Sequence, residues 1–183
     1  MDADPEGEAQ GGSAEPCAGD RQAVRVTGGW PVAKITVTRS IKAPVEAVFG
    51  YVDDHRNTVK YMQGLTKWEP AGSTTHGKGA TFDVAMKAGP LTMGGVMEVT
   101  EWKENKTIAW VSRKGIKQEG RWTFATKSGG TEATLEADVE FPGGIAGRVA
   151  ARAAEPVFRG NLERSVEALK TQTEKLAAKA ARR

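Results

Sequence analysis

The sequence predicts an α+β fold: a curved antiparallel sheet of about seven strands wrapped around one long C-terminal helix, with two short helices after the first strand. Three observations carry this. Residues 34–141 break into short alternating apolar and polar segments separated by Gly, Pro and Asn, the pattern of half-buried strands. From Gly144 to Lys179, apolar residues recur every three to four positions at Ile145, Val149, Ala153, Val157 or Phe158, Leu162, Val166, Leu169 and Leu176. That spacing aligns them on one helical face. A helix of about 30 residues is roughly 45 Å long at about 1.5 Å per residue, so its stripe needs an equally long apolar partner.

Lys34 to Ile41 alternates and forms the first strand. Ala43-Pro44 opens a helix, because proline is tolerated at the first helical position and Glu46 suits the positive end of the dipole. Val45, Val48, Phe49 and Val52 make its apolar side; Asp53-Asp54 breaks it, and a second short helix runs from about His55 to Met62, ended by Gly64. Strands follow at Leu65–Pro70, Ala80–Lys87, Leu91–Trp102, Thr107–Arg113, Lys117–Thr126 and Glu132–Phe141, with turns at Ala88-Gly89-Pro90, Glu104-Asn105, Lys114-Gly115 and Ser128-Gly129-Gly130. Gly94-Gly95 allows a bulge in the longest of them. Pro142-Gly143-Gly144 leads into the last helix, where Pro156 predicts a kink near Arg152.

Composition narrows the function classes. The 183 residues suit one domain with tails: an acidic stretch 1–31, a domain 32–178 and a basic end 179–183. Residues 1–31 hold six acids and two bases with almost no large apolar side chain before Val24. They bury too little to offset ordering entropy and are expected to be disordered, or to precede a true translation start near Val32. The whole chain is +3, so the remainder is basic, much of it in Lys170, Lys175, Lys179, Arg182 and Arg183. Such a tail can touch RNA or an anionic membrane surface; its plainer role is a solvated helix end, and no specific nucleic acid is expected. One cysteine (Cys17) and two histidines (His55, His76) exclude a disulfide framework and a typical zinc site. No apolar run reaches the ~18 residues of a membrane span, and no signal peptide is visible. A cytoplasmic monomer or dimer with no cofactor is the expectation.

The run Ile41-Lys42-Ala43-Pro44-Val45-Glu46-Ala47-Val48-Phe49, followed by Asp53, resembles the opening signature of START-like proteins, also called the SRPBCC or polyketide cyclase/dehydrase-like superfamily. Gly120-Arg121-Trp122-Thr123-Phe124, Gly130-Thr131 and Phe141-Pro142-Gly143-Gly144 extend the resemblance, which covers about residues 33–178. It implies the helix-grip fold with a cavity between sheet and C-terminal helix. Its motifs are specific for fold, not activity, since the superfamily holds aromatase/cyclases, lipid and quinone carriers, hormone receptors and toxins.

Strand parity gives the expected lining: Phe82, Val84 and Met86; Met93 and Met97; Trp110; Trp122 and Phe124; Leu135; and Phe158 and Leu162 from the helix. Each of these is equally an ordinary core residue; together, four of five methionines in the region suggest an adaptable apolar site. Polar candidates are few. Arg39 and Ser112 share the inward parity, and Tyr61 and His55 come from the short helices. A cation for an enolate, a donor for a carbonyl and a base beside two aspartates would serve a cyclase. Their plainer roles are a strand-end arginine, a half-packed tyrosine and an exposed turn histidine. His76 is expected in a mobile loop. There is no Gly-x-Ser-x-Gly elbow, and Gly143-Gly144-Ile145-Ala146-Gly147 lacks the Lys-Ser/Thr of a phosphate loop. The leading expectation is binding of an apolar small molecule (lipid, polyketide, quinone or isoprenoid) as carrier or chaperone. The alternatives are a polyketide aromatase/cyclase or dehydratase using the same cavity, and a toxin-like interaction protein.

Overall fold

The computed structural model describes residues 32–88, 91–115, 117–140 and 144–182. The expectations for residues 1–31, and for most of the turns at 88–90 and 142–144, lie outside these residues. The elements are β1 (Val32–Ile41), α1 (Val45–Asp53), α2 (His55–Tyr61), β2 (Leu65–Pro70), β3 (Thr81–Ala88), β4 (Leu91–Lys103), β5 (Thr107–Gly115), β6 (Gln118–Lys127), β7 (Gly130–Glu140) and α3 (Gly144–Ala180). The strands form one curled antiparallel sheet in the order β1-β7-β6-β5-β4-β3-β2. Strands β2 to β7 meander as nearest neighbours, and β1 closes against β7 from Val32↔Glu140 to Ile41↔Thr131. Register shifts between β4 and β5 fall at Val96/Met97 and Val99/Glu101, just beyond the predicted glycines.

One face of the sheet is dry. Ile35, Val37, Phe82, Met97, Val99, Trp122, Phe124, Ala133 and Leu135 are buried there in one core with Val48 and Phe49 of α1 and Val166 and Leu169 of α3. The other parity carries charge, including the Arg121–Glu101 pair at 2.7 Å and the Arg113–Glu98 pair at 2.7 Å. Arg121 therefore sits outward, as its parity predicts.

The predicted stripe of α3 needs correction. Val166 and Leu169 are fully buried, with Ser165 and Thr173 beside them. Ile145, at 74 % exposure, and Val149, Val157 and Leu176 are exposed instead. Burial of α3 is concentrated from Ser165 to Thr173, with Ala151 a separate buried point nearer its start. Two hydrogen-bonding side chains fix this part of the helix. Ser165 Oγ accepts from Gln63 N at 2.8 Å and donates to the Asn161 carbonyl at 2.7 Å. Glu174 Oε1 accepts from Lys42 N at 2.8 Å. The helix continues through Pro156.

Candidate functional site

A cavity of about 100 Å³ lies between the sheet, α1, α2 and the middle of α3. Part of its wall is α2, a short helix started by its cap. Asp54 precedes the helix, its side chain accepts from Arg56 N at 3.1 Å, and both its oxygens accept from the Arg56 guanidinium at 2.8 Å. The Arg56 hydrogen bonds hold the Asp54 carboxyl down to about 2. Between the ordinary carboxylate value of 3.8 and about 2, an unfolded chain takes up a proton that the folded chain refuses. The cap's contribution is therefore complete above pH 4 and disappears as pH falls through about 2. Asp54→Ala is expected to cost about 1 kcal/mol at neutral pH. The melting-temperature gap to wild type should hold from pH 7 to 4 and close toward pH 2.

α2 carries His55 and Tyr61 to the cavity wall. Tyr61 is buried, its hydroxyl beside Thr58 and the Trp122 indole, and burial pushes its phenol far above the ordinary range. It stays neutral, a hydrogen-bonding group and not a base. The His55 ring lies 5.9 Å from Phe82. Of the apolar residues read from strand parity, Phe82, Met86, Trp110, Trp122, Leu135, Phe158 and Leu162 line the cavity. Val84, Met97 and Phe124 do not; they are buried in the core, Phe124 stacked on Trp122 at 5.8 Å and edge-on to Phe49 at 5.6 Å. Parity marks the inner face, and that face is longer than the cavity. The side chain of Met93 is outside the described residues, although its backbone pairs with Met86.

Arg39 and Ser112 stand off the cavity. Arg39 Nη1 donates to the Thr38 carbonyl at 2.9 Å, and its Nε lies 3.7 Å from Glu167 on α3. Ser112 Oγ donates to the Lys114 carbonyl of its own strand at 3.2 Å. The four polar candidates thus occupy three places, His55 and Tyr61 at the wall, Arg39 beside α3 and Ser112 on β5, and no shared polar spot forms. Among the described residues no group of three or more His, Cys, Asp or Glu side chains is arranged to hold a metal ion.

Sequence reasoning missed one polar cluster at the wall. Asp53, at the end of α1, accepts from Trp102 Nε1 at 2.8 Å and holds His76 Nδ1 at 2.8 Å; the His76 and Trp102 rings meet edge to face at 5.0 Å. Asp53, Trp102 and Gly77 line the cavity. One carboxylate therefore ties the β2–β3 connection, residues 71–80, to α1 and β4. Nothing in the spacing of residues 53, 76 and 102 announces this. Asp53→Asn keeps an acceptor for Trp102 and weakens the hold on His76. A loss of about 1 kcal/mol is expected, or a roughly fivefold rise in amide exchange confined to residues 71–80. Unchanged exchange there would show that the clasp does not restrain the loop.

Residues 32–174 match the family described as polyketide cyclase / dehydrase and lipid transport. The chain belongs to this family. Solved structures of the same fold include TTHA0849 from Thermus thermophilus, 22 % identical over 79 % of this chain and 98 % of that one, with a TM-score of 0.68. The Zhui aromatase/cyclase from Streptomyces sp. R1128 is 16 % identical over 79 % and 95 %, TM-score 0.64. Ara h 8.0201 is 13 % identical over 78 % and 98 %, TM-score 0.52. At these identities the likeness concerns the fold. No curated protein sequence matches the chain. Within the described residues no helix is long and apolar enough to cross a membrane.

Proposed function

We propose that this family member binds a small apolar molecule in the cavity between sheet and α3, as a carrier or chaperone. The observation that carries this reading is the state of the wall. It is built mainly of aromatic and aliphatic side chains, and several of its polar groups are already engaged. Asp53 is taken by Trp102 and His76, Ser165 by Gln63 and Asn161, and Tyr61 lies against Thr58 and Trp122. Such a wall rewards burial of apolar surface and offers little chemistry. Burying about 200 Å² of a ligand ring at ~25 cal/mol per Å² supplies about 5 kcal/mol before the costs of association. Area burial alone thus holds a ligand of that size no more tightly than about 0.2 mM, and ring packing on the aromatic wall adds to this.

The cyclase reading needs a cation and a base that converge, and Arg39 pairs with Glu167 instead. The carrier reading is therefore preferred. It includes a reducing, cytoplasmic setting, which rests on the single cysteine, and a monomer or dimer. Native mass spectrometry of freshly purified protein, followed by solvent extraction, is expected to release a stoichiometric apolar passenger. An empty protein that also fails to bind 2-naphthol and lauric acid by calorimetry would refute the reading.

A further inference from the structure

Trp110 on β5 pairs with Gly120 on β6. A Cβ placed on Gly120 would overlap Trp110 Cζ2, with Cη2 2.9 Å away. The benzo edge of the indole thus occupies the place where a side chain at 120 would stand. Glycine in a strand interior is unfavourable and often marks a close approach; here the approaching group is a ring. Trp122, two residues along β6 on the same face, also lines the cavity but is 1 % exposed and held in the core, whereas Trp110 is only half-buried. Trp110 is therefore a large rigid group standing at the edge of free space.

The free space is small. A dry cavity of about 150 Å³ accepts benzene, whereas drug-sized ligands occupy about 300–1,000 Å³. At about 100 Å³ the space is tighter than that benzene cavity and is open on one side, so a single ring fills it and any further part of a ligand extends out of it. The walls are rich in rings: Trp68 and Phe82 stack at 5.1 Å and 22°, and Tyr61 meets Trp122 edge-on at 6.2 Å and 67°. Aromatic faces and edges of this kind complement a planar ring.

We propose that Trp110, seated over Gly120, is the specificity-determining residue of the cavity. It limits the site to flat one- or two-ring ligands and excludes larger polycycles. This rests on the apolar-ligand reading above and deepens it.

The test uses 2-naphthol, 1-hydroxypyrene and lauric acid as calorimetric probes of the full chain. Wild type is expected to prefer 2-naphthol to 1-hydroxypyrene by at least tenfold. Trp110→Ala should invert that preference, tightening 1-hydroxypyrene at least tenfold while 2-naphthol weakens severalfold. Gly120→Ala evicts the indole from its seat and should weaken 2-naphthol about tenfold. In the Trp110→Ala background the same glycine change should cost less than twofold, because the clash is gone. Trp110→Phe keeps the core apolar and gives an intermediate preference, so the test survives if the alanine variant folds poorly. A folded Trp110→Ala or Trp110→Phe protein with the wild-type probe ratio overturns the proposal. So does a wild type that takes lauric acid but neither ring compound, which leaves the apolar-ligand reading standing. Failure of all three probes on wild type removes both.

Discussion

Replacing Trp122 with alanine is expected to lower the unfolding free energy by about 3–5 kcal/mol, read from the denaturant midpoint at unchanged slope. Trp122 serves two structures at once. Its ring stacks on Phe124 at 5.8 Å and meets Tyr61 at 6.2 Å, and Phe124 in turn packs edge-on against Phe49 of α1 at 5.6 Å. Removing the indole leaves a void among rigid rings that cannot easily collapse into it. It also removes part of the cavity wall. Loss of ligand binding in this variant therefore says little about the site. A destabilisation below 1 kcal/mol would show that the aromatic chain through Tyr61, Trp122, Phe124 and Phe49 is looser than it stands here.

Leu162→Arg is the cleaner probe of binding. Leu162 lines the cavity from α3 and is only partly buried. An arginine there brings its guanidinium into the space a ligand would fill, and the ligand would have to bury that charge or yield its place. A 2-naphthol dissociation constant at least a hundredfold higher is expected, equivalent to about 3 kcal/mol. The melting temperature should move little, because the long side chain can reach solvent from a half-buried position. Undiminished affinity in the folded variant would mean that the ligand binds elsewhere.

Much of this architecture is legible without coordinates, for identifiable reasons. Strand boundaries follow from alternation and from turn residues with special backbone needs, such as Asn105 at φ 56°. The inward set follows from the two-residue period, which is why the sequence alone points Phe82, Trp110, Trp122 and Leu135 toward the cavity. Depth along that face is another matter. Val84, Met97 and Phe124 share the parity but are core, because parity carries no information about where the helix lifts away from the sheet. Helical periodicity has the same blind spot. Ile145, Val149 and Val157 continue the stripe of Val166 and Leu169 without a partner, since the period reports a face and not the length of what covers it. Arg39 is anomalous in sequence, between Val37 and Ile41, and ordinary in space, where Glu167 meets it from α3. The Asp53 cluster joins three elements through side-chain geometry alone, so no local pattern could signal it.

The pairing of β1 with β7 has a consequence for how the chain is made. Residues 32–41 leave the ribosome about a hundred residues before their partners at 131–140, and the helix that covers both follows later still. Until then β1 has neither its neighbour nor its cover, while β2 to β7 can assemble pair by pair as they emerge. Closure of so long a loop makes the pairing of β1 with β7 slow compared with the hairpins. A nascent chain stopped before Gly130 would present an open strand edge and an uncovered apolar face, the features that recruit chaperones or aggregate. A ribosome pause after β6 would prolong that exposed state.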